Sequence, residues 1–114
     1  MLRWLPFGSV PELSARELRD RLERGEPIVL LDVRTRLEHA QSRIAGARSL
    51  PILDWPAALD ALALEPGRRA VAICLSAHRS IPAVRMLRER GHDAMQLAGG
   101  MIAWWAAGLP TEQG

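Results

Sequence analysis

An α/β fold, with a mainly parallel central sheet and flanking helices, is what this sequence predicts, and three observations predict it. Short apolar runs (28–33, 70–73 and 94–97) alternate along the chain with segments of helical period. The first run, Ile28 to Val33, is continuous apart from Asp32, as a strand buried on both faces would be. Two helix starts are written in capping boxes, Ser14 with Glu17 and Thr35 with Glu38.

In order, residues 1–11 show no period and read as a lead-in segment, with a single domain over 12–114. The first helix follows Ser14, with Leu13 placed to staple onto Leu18, a stripe continuing at Leu22, and Gly25 as the stop. The strand from Ile28 to Val33 comes next, with Asp32 near its C-terminal end. Thr35 then starts a short helix through about Ser42, and Gly46 turns the chain into a brief strand near Arg48 to Leu50, stopped by Pro51. Asp54-Trp55-Pro56 opens a helix whose buried side is Leu59, Leu62 and Leu64, and Glu65-Pro66-Gly67-Arg68 is a turn. A strand at 70–73 leads into a tight loop opening on Cys74. A helix capped by Ser80 follows, with Pro82 in its first turn, and runs to about Gly91. Ala94 to Leu97 is the last strand. Gly99-Gly100 begins the last helix, through Trp104 and Trp105 to Gly108, these tryptophans serving as core and rim packing.

Bulk composition narrows the function classes. A chain of 114 residues supports one compact domain. The net charge is only +2, and the densest basic group, Arg16, Arg19, Arg21 and Arg24, is interleaved with Glu17, Asp20 and Glu23. That is the pattern of a solvated helix face, so no nucleic-acid partner is expected. No apolar run approaches the roughly 20 residues a membrane span needs, and Pro6 breaks any signal-peptide core. A lone cysteine excludes an intrachain disulfide framework and suits a reducing compartment, so a cytoplasmic location is expected. Absent Lys, Asn and Tyr beside abundant Ala, Arg and Leu suit a GC-rich bacterial genome. Trp4 and Phe7, ahead of the domain, would dock on its surface or contact a partner.

Cys74 is the strongest functional candidate. It sits where a parallel strand ends and a helix begins, the place where ligands bind in such folds. Free N–H groups and the positive end of a helix dipole favour an anion there, a thiolate included. The alternative is a buried structural cysteine after an apolar strand. Cys74, His39, His78 and His92 show no metal-ligand spacing, so no metal is expected. His78, four residues past Cys74, suggests an acyl-transfer pair, but no orienting Asn or Asp stands nearby, and a rim position is the better reading.

Four blocks of residues resemble the rhodanese family of sulfurtransferases, from about Leu13 to Pro110. They are Leu31-Asp32-Val33-Arg34 with Glu38; Ile44-Ala45-Gly46-Ala47 closing on Pro51; Cys74 to Ser80; and Gly99-Gly100, Trp104 and Gly108-Leu109-Pro110. The resemblance implies a rhodanese-like domain of three layers and a sulfurtransferase. In that chemistry Cys74 takes a sulfane sulfur as a persulfide from a small donor, thiosulfate or a persulfide. It passes the sulfur to cyanide or a thiol acceptor, a protein thiol among them, with no cofactor. Four residues separate Cys74 from Arg79, which resembles the sulfur-transferring branch rather than the related phosphatase and arsenate-reductase branch, whose loop is one residue longer. Leu75 and Ala77 stand where many active members carry Arg and Gly. They are the features that feed a rival reading, a binding or regulatory module of weak turnover.

The implied site is Cys74 as nucleophile with a cradle of Leu75, Ser76, Ala77, His78 and Arg79, supported by Asp32, Arg34, Glu38 and Ser80. Arg79 would close the loop by bonding its carbonyls or pairing with Asp32 or Glu38. Asp32 would be a structural acid that orders the loop. Arg34 would contact a substrate or cap carbonyls, and Ser76 would donate to the persulfide or shape the turn.

Overall fold

In the computed structural model, which describes residues 8–114, the chain forms a five-stranded, all-parallel sheet of order β1-β5-β4-β2-β3. The strands are β1 (Glu12–Leu13), β2 (Val29–Asp32), β3 (Arg48–Ser49), β4 (Arg69–Ile73) and β5 (Asp93–Leu97). The helices are α1 (Ala15–Glu23), α2 (Arg36–Gln41), α3 (Ala57–Leu62), α4 (Ser80–Glu89) and α5 (Gly100–Ala106). Trp4 and Phe7 lie outside the described residues.

Alternation along the strands sorts the core into two halves, one on each sheet face. Val29, Leu31, Ala70, Ala72 and Ala94 face α3 and α4, meeting Leu59, Val84, Met86 and Leu87. Leu30, Val71, Ile73 and Leu97 face α1 and α5, meeting Leu18, Met101 and Trp104. Each fully buried Leu or Ile of these sets contributes about 1.5–3 kcal/mol to folding. The three layers and the parallel sheet are as the sequence predicts.

Both capping boxes form. Ser14 Oγ accepts from the Glu17 amide at 3.1 Å, and Thr35 Oγ1 accepts from the Glu38 amide at 3.2 Å, with the glutamates reaching back to the cap amides. Three expectations change. Glu12–Leu13 is a strand, paired to Gln96 and Leu97 of β5, and Leu13 is buried in the sheet as well as adjoining α1. A 3-10 turn at Ile52–Asp54 occupies the expected start of the third helix, which begins instead at Ala57. That helix ends at Ala63, whose left-handed φ of 52° halts it, so Leu64 packs on the core from beyond the helix.

The sheet order places one topological switch. From β2 the chain moves outward to β3, then crosses to β4 on the other side and onward to β5. The C-terminal ends of β2 and β4 therefore flank the crevice where connections leave in opposite directions.

Candidate active site

Cys74 is the first residue past β4, in that crevice, and is only 2% exposed. Its neighbour across the strand ends is fixed by the Val33 amide, which donates to the Ile73 carbonyl at 2.9 Å. From Cys74 the chain makes a tight loop, and the Arg79 amide returns to donate to Sγ at 3.2 Å. The sulfur therefore sits at the N-terminus of a ten-residue helix, hydrogen-bonded to the amide in its cap position.

The loop's shape is imposed from outside it. The Cys74 and Leu75 carbonyls accept from the Met101 and Ile102 amides of α5, at 2.9 and 3.1 Å. Carbonyl and amide of a trans peptide point opposite ways, so the amides of Leu75 and Ser76 turn away from α5. The approach is close enough that a Cβ on Gly100 would collide with both carbonyls, and Gly100 itself holds a φ of +58°. Ala77 takes a φ of 90°, a left-handed conformation rare for a residue with a Cβ.

Ser80 does not cap α4. It is the first helical residue, completely buried, with Arg79 in the cap position. A cap hydroxyl would accept from an amide, whereas the single Ser80 hydroxyl proton faces two acceptors, Oε1 of the buried Gln96 at 2.5 Å and the Ala77 carbonyl at 2.9 Å. Gln96 Nε2 in turn donates to Glu12 at 3.1 Å, so a polar chain links the loop to β1. Gln96 was legible as a polar residue inside the apolar run 94–97, yet it was not among the expected site residues. Gly100 and the α5 amides also lie outside that expected set.

Arg79 spans to α2. Its two terminal nitrogens donate to the two Glu38 oxygens at 2.7 and 2.9 Å, a bidentate pair that closes the loop. These bonds, joined by the Thr35 amide and hydroxyl, hold the Glu38 carboxyl at about 2 against the desolvation that opposes it. Glu38 correspondingly raises Arg79, with Cys74 a lesser contributor in the same direction. Glu38, and not Asp32, is the partner of Arg79.

Asp32 belongs to Arg34. Both are buried, with Arg34 Nε and Nη2 donating to the two Asp32 oxygens at 2.9 and 2.7 Å, and Nη2 also to the Ser42 carbonyl. Arg34 thus caps a carbonyl while locking the β2–α2 connection, and no loop hydrogen bond reaches either side chain among the described residues. The loop's own side chains divide: Leu75 and Ala77 are half-buried, while Ser76 and His78 are exposed. Of the other histidines, His39 Nε2 meets the Ala47 carbonyl at 2.8 Å and His92 is buried. Among the described residues no three His, Cys, Asp or Glu gather as a metal site. None of the described helices is long and apolar enough to cross a membrane.

The geometry offers a shielded sulfur nucleophile in a loop braced from α2, α4 and α5, suited to a small nucleophilic displacement. The rhodanese-like domain family matches residues 14–107. A protein named sulfurtransferase from Allochromatium vinosum is 35% identical over 102 residues, covering 89% of this chain and 94% of that one. An HTH-type transcriptional regulator of Mycobacterium tuberculosis is 37% identical over 105 residues, covering 90% of this chain, which spans only 45% of the regulator's length. The solution structure of a rhodanese-like domain from Anabaena sp. superposes with a TM-score of 0.80 at 34% identity, covering 92% of this chain and 80% of that one.

Proposed function

This chain belongs to the rhodanese-like domain family, and from that premise we propose that it is a sulfurtransferase working through a persulfide on Cys74. The family and the relatives that bear the name sulfurtransferase support the class of reaction. The observation that carries the mechanism is the Arg79 amide at 3.2 Å from Sγ in a loop of this length.

In this reading the Cys74 thiolate attacks the outer sulfur of a sulfane donor, thiosulfate or a persulfide. A new S–S bond forms, the donor's S–S bond breaks, and its electron pair leaves with the donor remnant. A thiolate or cyanide acceptor then attacks the outer sulfur of the persulfide, which returns Cys74 to the thiolate. The loop amides hold the persulfide anion, and Arg79, clamped by Glu38, holds the loop. Residues 12–114 form the working domain, 1–11 a lead-in, and a lone thiol suits a reducing, cytoplasmic setting.

A second reading has its own observation. The match to the transcriptional regulator covers less than half of that protein, so a domain of this kind can form part of a regulatory chain. The strained Ala77 and the near-complete burial of Cys74 fit a module of weak turnover.

Intact mass before and after exposure to thiosulfate and to an alkyl persulfide, with sulfur transfer to cyanide, separates the two. The sulfurtransferase gains one sulfur atom and turns over, and Cys74→Ser does neither. A folded wild type that no donor loads is the binding module. Hydrolysis of an aryl phosphate that depends on Cys74 would instead favour the phosphatase branch.

A further inference from the structure

Gln96 stands two residues past Ala94 on β5, so it shares the sheet face covered by α3 and α4. Across the strands its row runs Glu12, Gln96, Ala72 and Leu31. Ala72 and Leu31 are completely buried, and Gln96 is 5% exposed. A leucine would fill that space without the cost of desolvating an amide. Only two partners offset the cost. Oε1 lies 2.5 Å from Ser80 Oγ, and Nε2 donates to Glu12 at 3.1 Å.

These partners fix the sense of the amide. A carboxylate only accepts, so Glu12 claims the nitrogen and turns the oxygen toward Ser80. The Ser80 hydroxyl then serves as a donor on that side, and its rotation is held with Oγ 2.9 Å from the Ala77 carbonyl. That carbonyl is thereby drawn toward the buried side of the loop. Carbonyl and amide of a trans peptide point opposite ways, so the His78 amide faces the other side. The next amide along, that of Arg79, is the one that donates to Sγ. Ala77 carries a φ of 90°, which a residue with a Cβ does not keep by local preference. The turn needs a hold from outside.

We propose that Gln96 is a positioning residue of the sulfur-transfer loop. Oriented by Glu12, it fixes the Ser80 hydroxyl, and through it the Ala77–His78 peptide that leads into the Arg79 amide at the sulfur. The proposal rests on the sulfurtransferase reading above and extends that machinery to a side chain on β5, outside the loop.

The test is sulfur loading of Cys74 in the full chain, followed by intact mass against rising cysteine persulfide at neutral pH. Beside it, the backbone amide signals of His78 and Arg79 are read in a two-dimensional NMR spectrum, with every variant fully folded. Gln96→Leu should lower the saturating loading rate about fivefold and displace both signals. The half-saturating persulfide concentration should hold, because Gln96 does not contact the sulfur donor. Gln96→Glu sets two carboxylates face to face and should slow loading at least as much. Adding Glu12→Gln to it returns a hydrogen-bond donor to one end of the pair, and should restore most of the rate and both signals.

A folded Gln96→Leu that loads at the wild-type rate with both signals in place would overturn the proposal, since the Ser80–Ala77 bond alone would then set the loop. If Gln96→Leu does not fold, the exchanged pair decides: a double variant no faster than Gln96→Glu overturns it. A wild type that never loads removes the sulfurtransferase reading on that result alone, and the two amide signals still decide what Gln96 holds.

Discussion

Two arginine–carboxylate pairs flank the reactive cysteine, and they are alike in chemistry and opposite in setting. Asp32 and Arg34 are two residues apart and wholly buried, whereas Glu38 and Arg79 are 41 residues apart with side chains 26% and 34% exposed. The buried pair knits β2 to α2 and makes no hydrogen bond to the loop among the described residues. The outer pair reaches across the mouth of the crevice and joins α2 to the start of α4. Burial makes the first pair costly to break and of little use as a switch. Partial exposure makes the second cheaper to break, yet it is the one whose geometry the sulfur feels, through the same residue that donates to Sγ.

Substitution should separate these roles. Asp32→Ala leaves a buried guanidinium without its counter-charge and should destabilise the fold by about 3–5 kcal/mol, read from urea unfolding. An Asp32→Ala protein nearly as stable as wild type would show that water or the Ser42 carbonyl alone satisfies Arg34. Glu38→Gln removes the clamp and weakens the α2 capping box, at about 1–2 kcal/mol. Its larger effect should be on Cys74, measured as a changed alkylation rate by iodoacetamide, while Asp32→Asn at matched stability should leave that rate nearly alone.

Acid sharpens the same contrast. The Glu38 carboxyl stands at about 2 in the folded protein against an ordinary 4.5, so the clamp's contribution is fully present above pH 4.5. It is lost as pH falls from there toward 2, because the unfolded chain then binds the proton first. Unfolding midpoints followed from pH 6 to 3 should fall less steeply in Glu38→Gln than in wild type, and parallel curves would remove the clamp from the account. The smallest effect is expected at Ala77. Glycine relieves the cost of a Cβ at a φ of 90° but adds freedom to the unfolded chain, so Ala77→Gly should gain about 0.5–1 kcal/mol. A loss of stability there would mean that the loop holds this conformation without strain.

The same pairs show what the sequence discloses. Contacts within a few residues were legible: both capping boxes, the strands at 28–33, 70–73 and 94–97, and Cys74 at a strand end all follow from local spacing. The two-residue β1 carries no period, so only its pairing with β5 defines it. Arg79 had two candidate acids, and nothing local could choose between them; the choice came when Arg34, two residues from Asp32, took that carboxylate first. Ser80 looked like a cap because serine before a helix usually is one. A buried glutamine sixteen residues away redirected its hydroxyl. Tertiary partners outbid local preference at these positions, and they do so where the loop is built.

The hold of α5 on the Cys74 and Leu75 carbonyls has a mechanical consequence. The helix that orients the reactive loop contains no reactive group of its own, so the tuning of the sulfur is stored in the register between β5 and α5. One residue inserted in the turn at 65–68, at the opposite end of β4, is absorbed by solvent-facing backbone. One residue inserted between Leu97 and Gly99 would slip the two amides off their carbonyls and detune a sulfur it never touches.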